Sequence, residues 1–553
     1  MDYLKKKDDI RYFYEIRTPK MNRHDMTAEK TKIWLPLFLS LTLILGMIFG
    51  YKLRENMGDF APALSTSDNQ MKMNELLSLI NAKYVDSVSL DSLQLKTIEA
   101  MISELDPHSV YIDKNEVQEL NEELDGNYQG IGVQFNMIND TVTLFSIIKN
   151  SPADLAGLQA ADKIIKVDTN IVSGVGIKES RIKNLVKGKR GTSVTLLILR
   201  NNTLVKKVIK RNRIKSTNIN AAFFIQPGIA YIRIEKFAGN TYEEFMQHLE
   251  RLKKEGMQKL ILDLRDNGGG MLDDAVQIAD EFISGNKQIV STKGYNVSEQ
   301  VISARRPGLF EEGKLVLLIN ENSASASEVL AGALQDWNRA TIIGRRSFGK
   351  GLVQEQFSLS DGSAVRLTIA RYYTPVGRCI QKPYKKGIDT GYSHEVSQRM
   401  RNGEILNNHH NSHSGKAFKL QDGRVLYSDE GITPEYFIPI DSVRWLLYNQ
   451  KIDIQKIITE TSLQYFRNHK NDLNKLNQIT DLRAYINKDP EIDNLLKQWC
   501  KSLPSAINIK KCNEIFLSDF EDMLSWMIWN EEGYYKTSSP KDPVIQKALL
   551  LMN

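Results

Sequence analysis

Serines at the mouth of a helix and a lysine set between glycines are the residues here whose types and spacing can do covalent chemistry. INENSASASEVLAGALQD (Ile319 to Asp336) runs from an apolar strand through Ser323, Ser325 and Ser327 into a helical pattern. A serine at a strand-to-helix turn is exposed, and the first helical N–H groups point at whatever it attacks. An ordinary helix N-cap also favours serine, and explains such a residue as well. GRRSFGKGLVQ (Gly344 to Gln354) places Lys350 between Gly349 and Gly351. It contains G-x-x-x-x-G-K, but Gly351 stands where a phosphate loop needs Ser or Thr for magnesium. The following LVQEQFSLS alternates like a strand, where a phosphate loop must open a helix. In LDLRDNGGG (Leu262 to Gly270) a strand runs into a glycine turn. Its backbone N–H groups can approach a ligand closely and supply an oxyanion-hole donor, although a tight turn alone also accounts for the glycines.

A nucleophilic serine needs a base. The chain has no G-x-S-x-G elbow and no H-E-x-x-H, and its eight histidines are scattered. His409, His410 and His413 fall in a polar stretch that reads as a solvated loop rather than a metal site. No metal or cofactor is expected. A lysine replaces histidine as base when its ammonium is desolvated. Burial lowers its pKa by up to roughly 3 to 5 units from about 10.4, towards the useful range. Lys350, after Phe348 and flanked by glycines, suits such an inward-pointing setting.

The elements around these residues must position them. At 553 residues, the chain is too long for one core, and two to four domains are expected. Residues 71–124 have helical spacing, broken at Asp106-Pro107. From 125 to 213 the texture changes to short strands separated by glycine turns, with one helix near Gly176 to Val186, a small β-rich domain. From 214 to 440 strands alternate with helices, in the order IAYIRI, a helix near Tyr242 to Lys254, KLILDL, a helix near Leu272 to Ile283, KLVLLIN, a helix near Ala326 to Gln335, then ATIIG. This alternation predicts an α/β core with parallel pairing, and near-continuous apolar strands such as KLVLLIN suit a sheet covered on both faces. Residues 385–420 read as a polar surface insertion. Residues 441–553 form a helical C-terminal extension with no chemistry motif, a candidate surface for self-association or an adaptor.

Hydrophobic content of 41% and charged content of 25% are ordinary for globular protein, and the net charge of +6 is small. No dense basic arm with interleaved aromatics occurs, so nucleic acid is not an expected partner. Of three cysteines, Cys500 and Cys512 are twelve apart, and a disulfide and two buried thiols are both open. Residues 33–51 carry no charge over nineteen positions, enough to span a bilayer as a helix. Nine lysines and arginines between Lys5 and Lys32 precede them. These features predict a cytoplasmic segment 1–32, a single-pass inner-membrane anchor 33–51, a tether 52–70, and the remainder in the periplasm or outside the cell. A cleaved signal peptide is the competing reading, although no A-x-A site closely follows the apolar run.

The ordered set S-A-S-A-S-E, A-G-A-L-Q-D, F-G-K-G-x-V-Q and Y-Y-T-P-x-G-R, between Ser323 and Arg378, resembles the carboxyl-terminal processing, or tail-specific, proteases. The resemblance runs from about Met71 to Pro439. It implies that Ser325 is the nucleophile, Lys350 the general base, and Gln354 the residue orienting that lysine. It also implies an oxyanion hole from the N–H of Ala326 and one from the glycine turn, assigned to Gly269. Asp336 matches an aspartate sometimes counted with the site, although its place deep in a helix suits a structural role. Gly268 departs mildly from the family, where proline is common. GNYQGIGVQF (Gly126 to Phe135) and SPADLAGLQAADKIIKVD (Ser151 to Asp168) resemble the hallmarks of a PDZ domain. They imply that Gly130, Ile131, Gly132 and Val133 hold a peptide's terminal carboxylate while its tail adds to the neighbouring edge strand. The expected partners are therefore proteins or peptides with accessible C-terminal tails.

Overall fold

The computed structural model of the chain describes residues 40, 42–47, 68–385, 392, 394–407, 415–501, 503 and 508–553. They fall into two compact units, Met1–Gln94 and Leu95–Asn553. In the first, helix Asp68–Lys83 is the main described element, and helix Leu90–Ser103 spans the boundary. The cytoplasmic segment, most of the apolar stretch 33–51 and most of the tether lie outside the described residues. Among the described residues no helix is long and apolar enough to cross a membrane. All that follows concerns the second unit.

Its centre is a six-stranded sheet in the order Ile219–Gln226, Ile229–Ile234, Lys259–Asp263, Lys314–Ile319, Thr341–Gly344, Tyr436–Phe437. The first pair is an antiparallel hairpin and all other pairings are parallel. IAYIRI buries all six positions and KLVLLI all but its first, because both faces of the sheet are covered. Alternate side chains part to opposite faces, as the pleat requires. Ile232, Leu260, Leu262, Leu317 and Ile342 meet helices Thr241–Lys254, Leu272–Asp280 and Ala326–Asp336. Tyr231, Ile261, Val316, Leu318 and Ile343 meet Val544, Ile545, Ala548, Leu549 and Met552 of the last helix, Pro543–Met552. The core thus takes its third layer from the far end of the segment read as an extension.

A second sheet carries the lysine. Leu352–Ser358 pairs with Ala364–Tyr373, which also pairs with Val110–Ile112 and Gln288–Lys293; Gln300–Ser303 closes the far edge. Val110–Ile112 lies inside the stretch read as helical. At three residues it is too short to show a strand period, and pairing with Ala364–Arg366 makes it a strand.

The β-rich region is an inserted domain. Its entering and leaving strands, Asn127–Gly130 and Asn212–Lys215, pair with each other. Its own sheet runs Val133–Ile138, Thr141–Ile147, Lys163–Val167, Ser193–Arg200, Thr203–Lys210, and helix Glu179–Val186 packs on it. Val133–Ile138 is an edge strand paired on one side only. The remaining helices of the extension share a core with Phe145 and Ala161 of this domain. Gln134 donates to Glu531 (3.3 Å) and Phe145 meets Trp526 edge-on. Cys500 and Cys512 are free thiols.

The described part of 385–420 does more than cover the surface. Arg399, in helix Glu395–Arg401, is buried and donates to the carbonyls of Arg346 (2.7 Å) and Ser347 (3.1 Å), just ahead of Lys350.

The terminal helix should therefore support the core energetically. Ile545→Ala, at a site 1% exposed, is expected to destabilise the core transition by about 2–5 kcal/mol through lost burial and a residual cavity. Leu550→Ala, on the exposed face of the same helix, should stay within about 0.5 kcal/mol. Shifts of the denaturant midpoint at unchanged slope check both.

Candidate active site

The three serines are separated by geometry. Ser323 and Ser327 are fully buried and donate to the carbonyls of Leu264 (2.8 Å) and Asn267 (2.9 Å). Both therefore tie the Ser325 turn to the glycine turn. Ser325 is only half-buried and is the N-cap of helix Ala326–Asp336, with φ 55° and ψ −115°. That conformation is rare for a residue with a side chain and is held only where the surroundings over-determine it.

Glu328 supplies much of that hold. It is fully buried, and its carboxylate accepts four hydrogen bonds. One oxygen takes Ser325 N–H (2.9 Å) and Lys350 N–H (2.8 Å); the other takes Gly349 N–H (2.7 Å) and the Ser347 hydroxyl (2.5 Å). One side chain thus fixes the backbones of both the serine and the lysine. The Tyr372 hydroxyl repeats the link from another side, lying against the carbonyl oxygens of Ser325 (3.0 Å) and Lys350. Burial pushes the Glu328 carboxyl up to about 7, against the pull of its four donors.

Lys350 is half-buried at the start of strand Leu352–Ser358. Desolvation is the main force holding its ammonium below the usual lysine range, with the charge of Arg366 adding to it and Glu328 and Asp106 opposing. Its Nζ donates to Gln354 Oε1 (2.8 Å), and Gln354 Nε2 donates to the His108 carbonyl (2.5 Å). The amide of Gln354 is therefore oriented with its oxygen towards the lysine. The lysine's described hydrogen bond goes to Gln354 rather than to Ser325. His108, half-buried, also meets the Tyr392 hydroxyl through Nε2 (2.7 Å), and burial together with the Lys350 charge lowers its pKa to about 4.

The glycine turn faces the serine directly. A Cβ placed on Gly269 would lie 2.7 Å from Ser325 Cβ and 2.9 Å from Ala326 N, and its φ of 98° suits glycine. The N–H of Ala326, in the first helical turn, has no intrahelical acceptor. The N–H of Gly269 donates to Asn267 Oδ1 (2.8 Å) in this arrangement. Asp336 is at the opposite end of its helix, about 16 Å along the axis from Ser325. It is buried in an ion pair with Arg378 (2.6 Å) and accepts from Val376 N–H, which locks the helix end to the TPVGR loop. Gly130 ends the entering strand, Ile131 is buried, and Gly132 has φ 83° with Ser151 Cβ only 2.3 Å from where its own Cβ would be. Val133 opens the unpaired edge. His409, His410 and His413 lie outside the described residues.

Sequence reading missed Glu328, Tyr372 and His108 as site residues. Glu328 stands three residues after Ser325, the spacing of a capping box, and that signal was visible. Tyr372 lies in the Y-Y-T-P motif, which gave it no role, and His108 offered no signal, since sheet pairing brings it in from a distant segment.

Glu328→Gln puts an amide NH₂ among N–H donors. It is expected to destabilise the folded chain by about 1–3 kcal/mol through unsatisfied buried donors, measured by thermal unfolding. Between the unfolded value of 4.5 and about 7, native Glu328 holds more protons than the unfolded chain. Its contribution to stability should therefore be full below pH 4.5 and fall as pH rises through 7. Unfolding measured across that window should show this decline in the native chain and lose it in Glu328→Gln.

Residues 228–392 match the model of peptidase family S41, and residues 129–210 that of the PDZ domain. A probable CtpA-like serine protease of Staphylococcus epidermidis is 35% identical over 322 residues, covering 58% of this chain and 64% of that protein. One from Staphylococcus aureus is 34% identical over 325 residues with the same coverage. The match thus spans just under two thirds of these relatives. Among solved structures, the photosystem II D1 C-terminal processing protease is 24% identical and covers 68% of this chain and 94% of its own, at a TM-score of 0.34. The chain thus carries a PDZ region followed by a peptidase family S41 region, the order the motifs required, and is similar to CtpA-like serine proteases.

Proposed function

We propose that this protein is a serine endopeptidase that uses Ser325 and Lys350 as a dyad. It recognises carboxyl-terminal tails through its PDZ domain and cleaves proteins outside the inner membrane, to which residues 33–51 anchor it. The observation that carries the reading is the shared hold of Glu328 on the backbones of Ser325 and Lys350, beside a lysine desolvated and oriented by Gln354.

The chemistry follows from those contacts. A neutral lysine amine donates one hydrogen to Gln354 and keeps its lone pair for the Ser325 proton. Transfer needs Nζ within about 2.6–3.2 Å of Ser325 Oγ, a distance reached as substrate binds. The hydroxyl attacks the scissile carbonyl, and the oxyanion forms at the N–H of Ala326. Gly269 supplies the second donor by exchanging Asn267 Oδ1 for the oxyanion. Lys350 then protonates the leaving amine, and water hydrolyses the acyl-enzyme. Each oxyanion donor is worth about 3–4 kcal/mol of barrier. The substrate tail extends the PDZ sheet at Val133–Ile138, with its carboxylate at the Gly130–Val133 loop.

Three outcomes test this. Purified protein should cleave a peptide bearing a free C-terminal tail, and Ser325→Ala should abolish cleavage while retaining tail binding; tail binding with no cleavage by the native chain would leave only a scaffold. The active form of Lys350 is neutral, so kcat/KM should fall with decreasing pH through a pKa below 10.5. Amidating the tail's carboxylate should weaken binding at least about tenfold, the loss of a charge-assisted hydrogen bond.

A further inference from the structure

Directly behind the glycine turn is a buried charge cluster with one member from the C-terminal extension. Asp263, fully buried at the end of strand Lys259–Asp263, accepts from Arg265 through Nε (3.0 Å) and Nη2 (2.6 Å) and from the Tyr231 hydroxyl (2.8 Å). Arg233 stands 3.4 Å away on the neighbouring strand, under the ring of Tyr535. The other arm of Arg265 donates to Asp542 (2.7 Å). Arg233 also lies 3.6 Å from Glu235 and 3.7 Å from Asp266, whereas Arg265 is held by Asp263 and Asp542, so removing Asp542 takes the ion-pair partner from one arm of its guanidinium.

Arg265 is also where the turn begins. Asp266 follows with φ 63° and is pinned by Asn320 and Asn322; then come Asn267, Gly268 and Gly269, the last against Ser325. Asn267 Oδ1 holds the Gly269 N–H, and its Nδ2 donates to Ile234 O. Arg265 therefore stands four residues before Gly269, at the root of this pinned turn.

Resting on the peptidase reading above, we infer that the Asp542–Arg265 ion pair is a positioning device for the oxyanion turn, which makes the C-terminal extension part of the catalytic assembly. Arg265 and Asp542 touch no reacting atom; they act through the placement of Gly269. The rate should then suffer without comparable loss of substrate binding, because the oxyanion exists only in the transition state.

Asp542 has a second role that the test must separate. Its other oxygen caps helix Pro543–Met552, accepting from Val544 N–H (2.8 Å) and Ile545 N–H (3.4 Å). Serine caps as well as aspartate but is too short to reach Arg265. Asp542→Ser in the full chain is expected to lower kcat about ten- to a hundredfold, with KM within about threefold and the thermal midpoint near that of the native chain. Amide exchange in residues 264–271 should quicken. Asp542→Glu, which reaches Arg265 but caps less well, should recover part of kcat. Native kcat and native exchange in Asp542→Ser would overturn the inference, and so would a lowered thermal midpoint with kcat unchanged. If the native chain cleaves nothing, the peptidase reading fails, while the exchange comparison still decides whether Asp542 fixes the turn.

Discussion

A carboxylate buried without a cation in hydrogen-bonding contact is costly, and Glu328 bears that cost at the centre of this site. Four neutral donors offset it, two of them the N–H groups of Ser325 and Lys350. Those N–H groups come from segments twenty-five residues apart in sequence, one ending a strand of the central sheet and one opening a strand of the second. The strained backbone of Ser325 and the path of the lysine loop both depend on this one side chain. Ser347, within that loop, and Tyr372 and Arg399, from two other segments, then brace it.

Around that centre the chain closes on itself. The central sheet presents two apolar faces, and only one is covered by the helices that connect its strands. The other would expose Tyr231, Ile261, Val316, Leu318 and Ile343 without the last ten residues of helix. The extension also reaches the edge strand Val133–Ile138, where Glu531 meets Gln134, and next to Glu531 it kinks at Asn530, a non-glycine residue with φ 60° and ψ −164°. That conformation is seldom held without support, and Ser146 of the inserted domain provides a hydrogen bond there (3.4 Å). The inserted domain, the glycine turn and the core sheet thus share one helical segment.

Much of this was legible in residue order because the elements concerned have local signatures. Parallel strands covered on both faces read as apolar runs, and the crossover helices as helical spacing between them. The inserted domain showed in glycine turns and short strands, and its connecting strands Asn127–Gly130 and Asn212–Lys215 pair with each other. Choosing Ser325 among three serines rested on resemblance, and the physical distinction is tertiary: its neighbours' hydroxyls are spent on Leu264 and Asn267. His108 could not be found, since strand pairing across some 250 residues brings Val110–Ile112 into the lysine's sheet, while Tyr372 stood in the Y-Y-T-P motif without a legible role. The terminal helix was read as helix, but a helical period does not say which sheet face it covers.

The central claim is that burial makes Lys350 a base. Its ammonium can be titrated directly by following the Lys350 side-chain ¹³Cε and ¹⁵Nζ resonances with pH, in Ser325→Ala protein to keep the tail peptide intact. The account requires a pKa clearly below the ordinary lysine value of 10.5, falling further when a bound tail excludes water from the cleft. A value at or above 10.5, unchanged by the peptide, would contradict it.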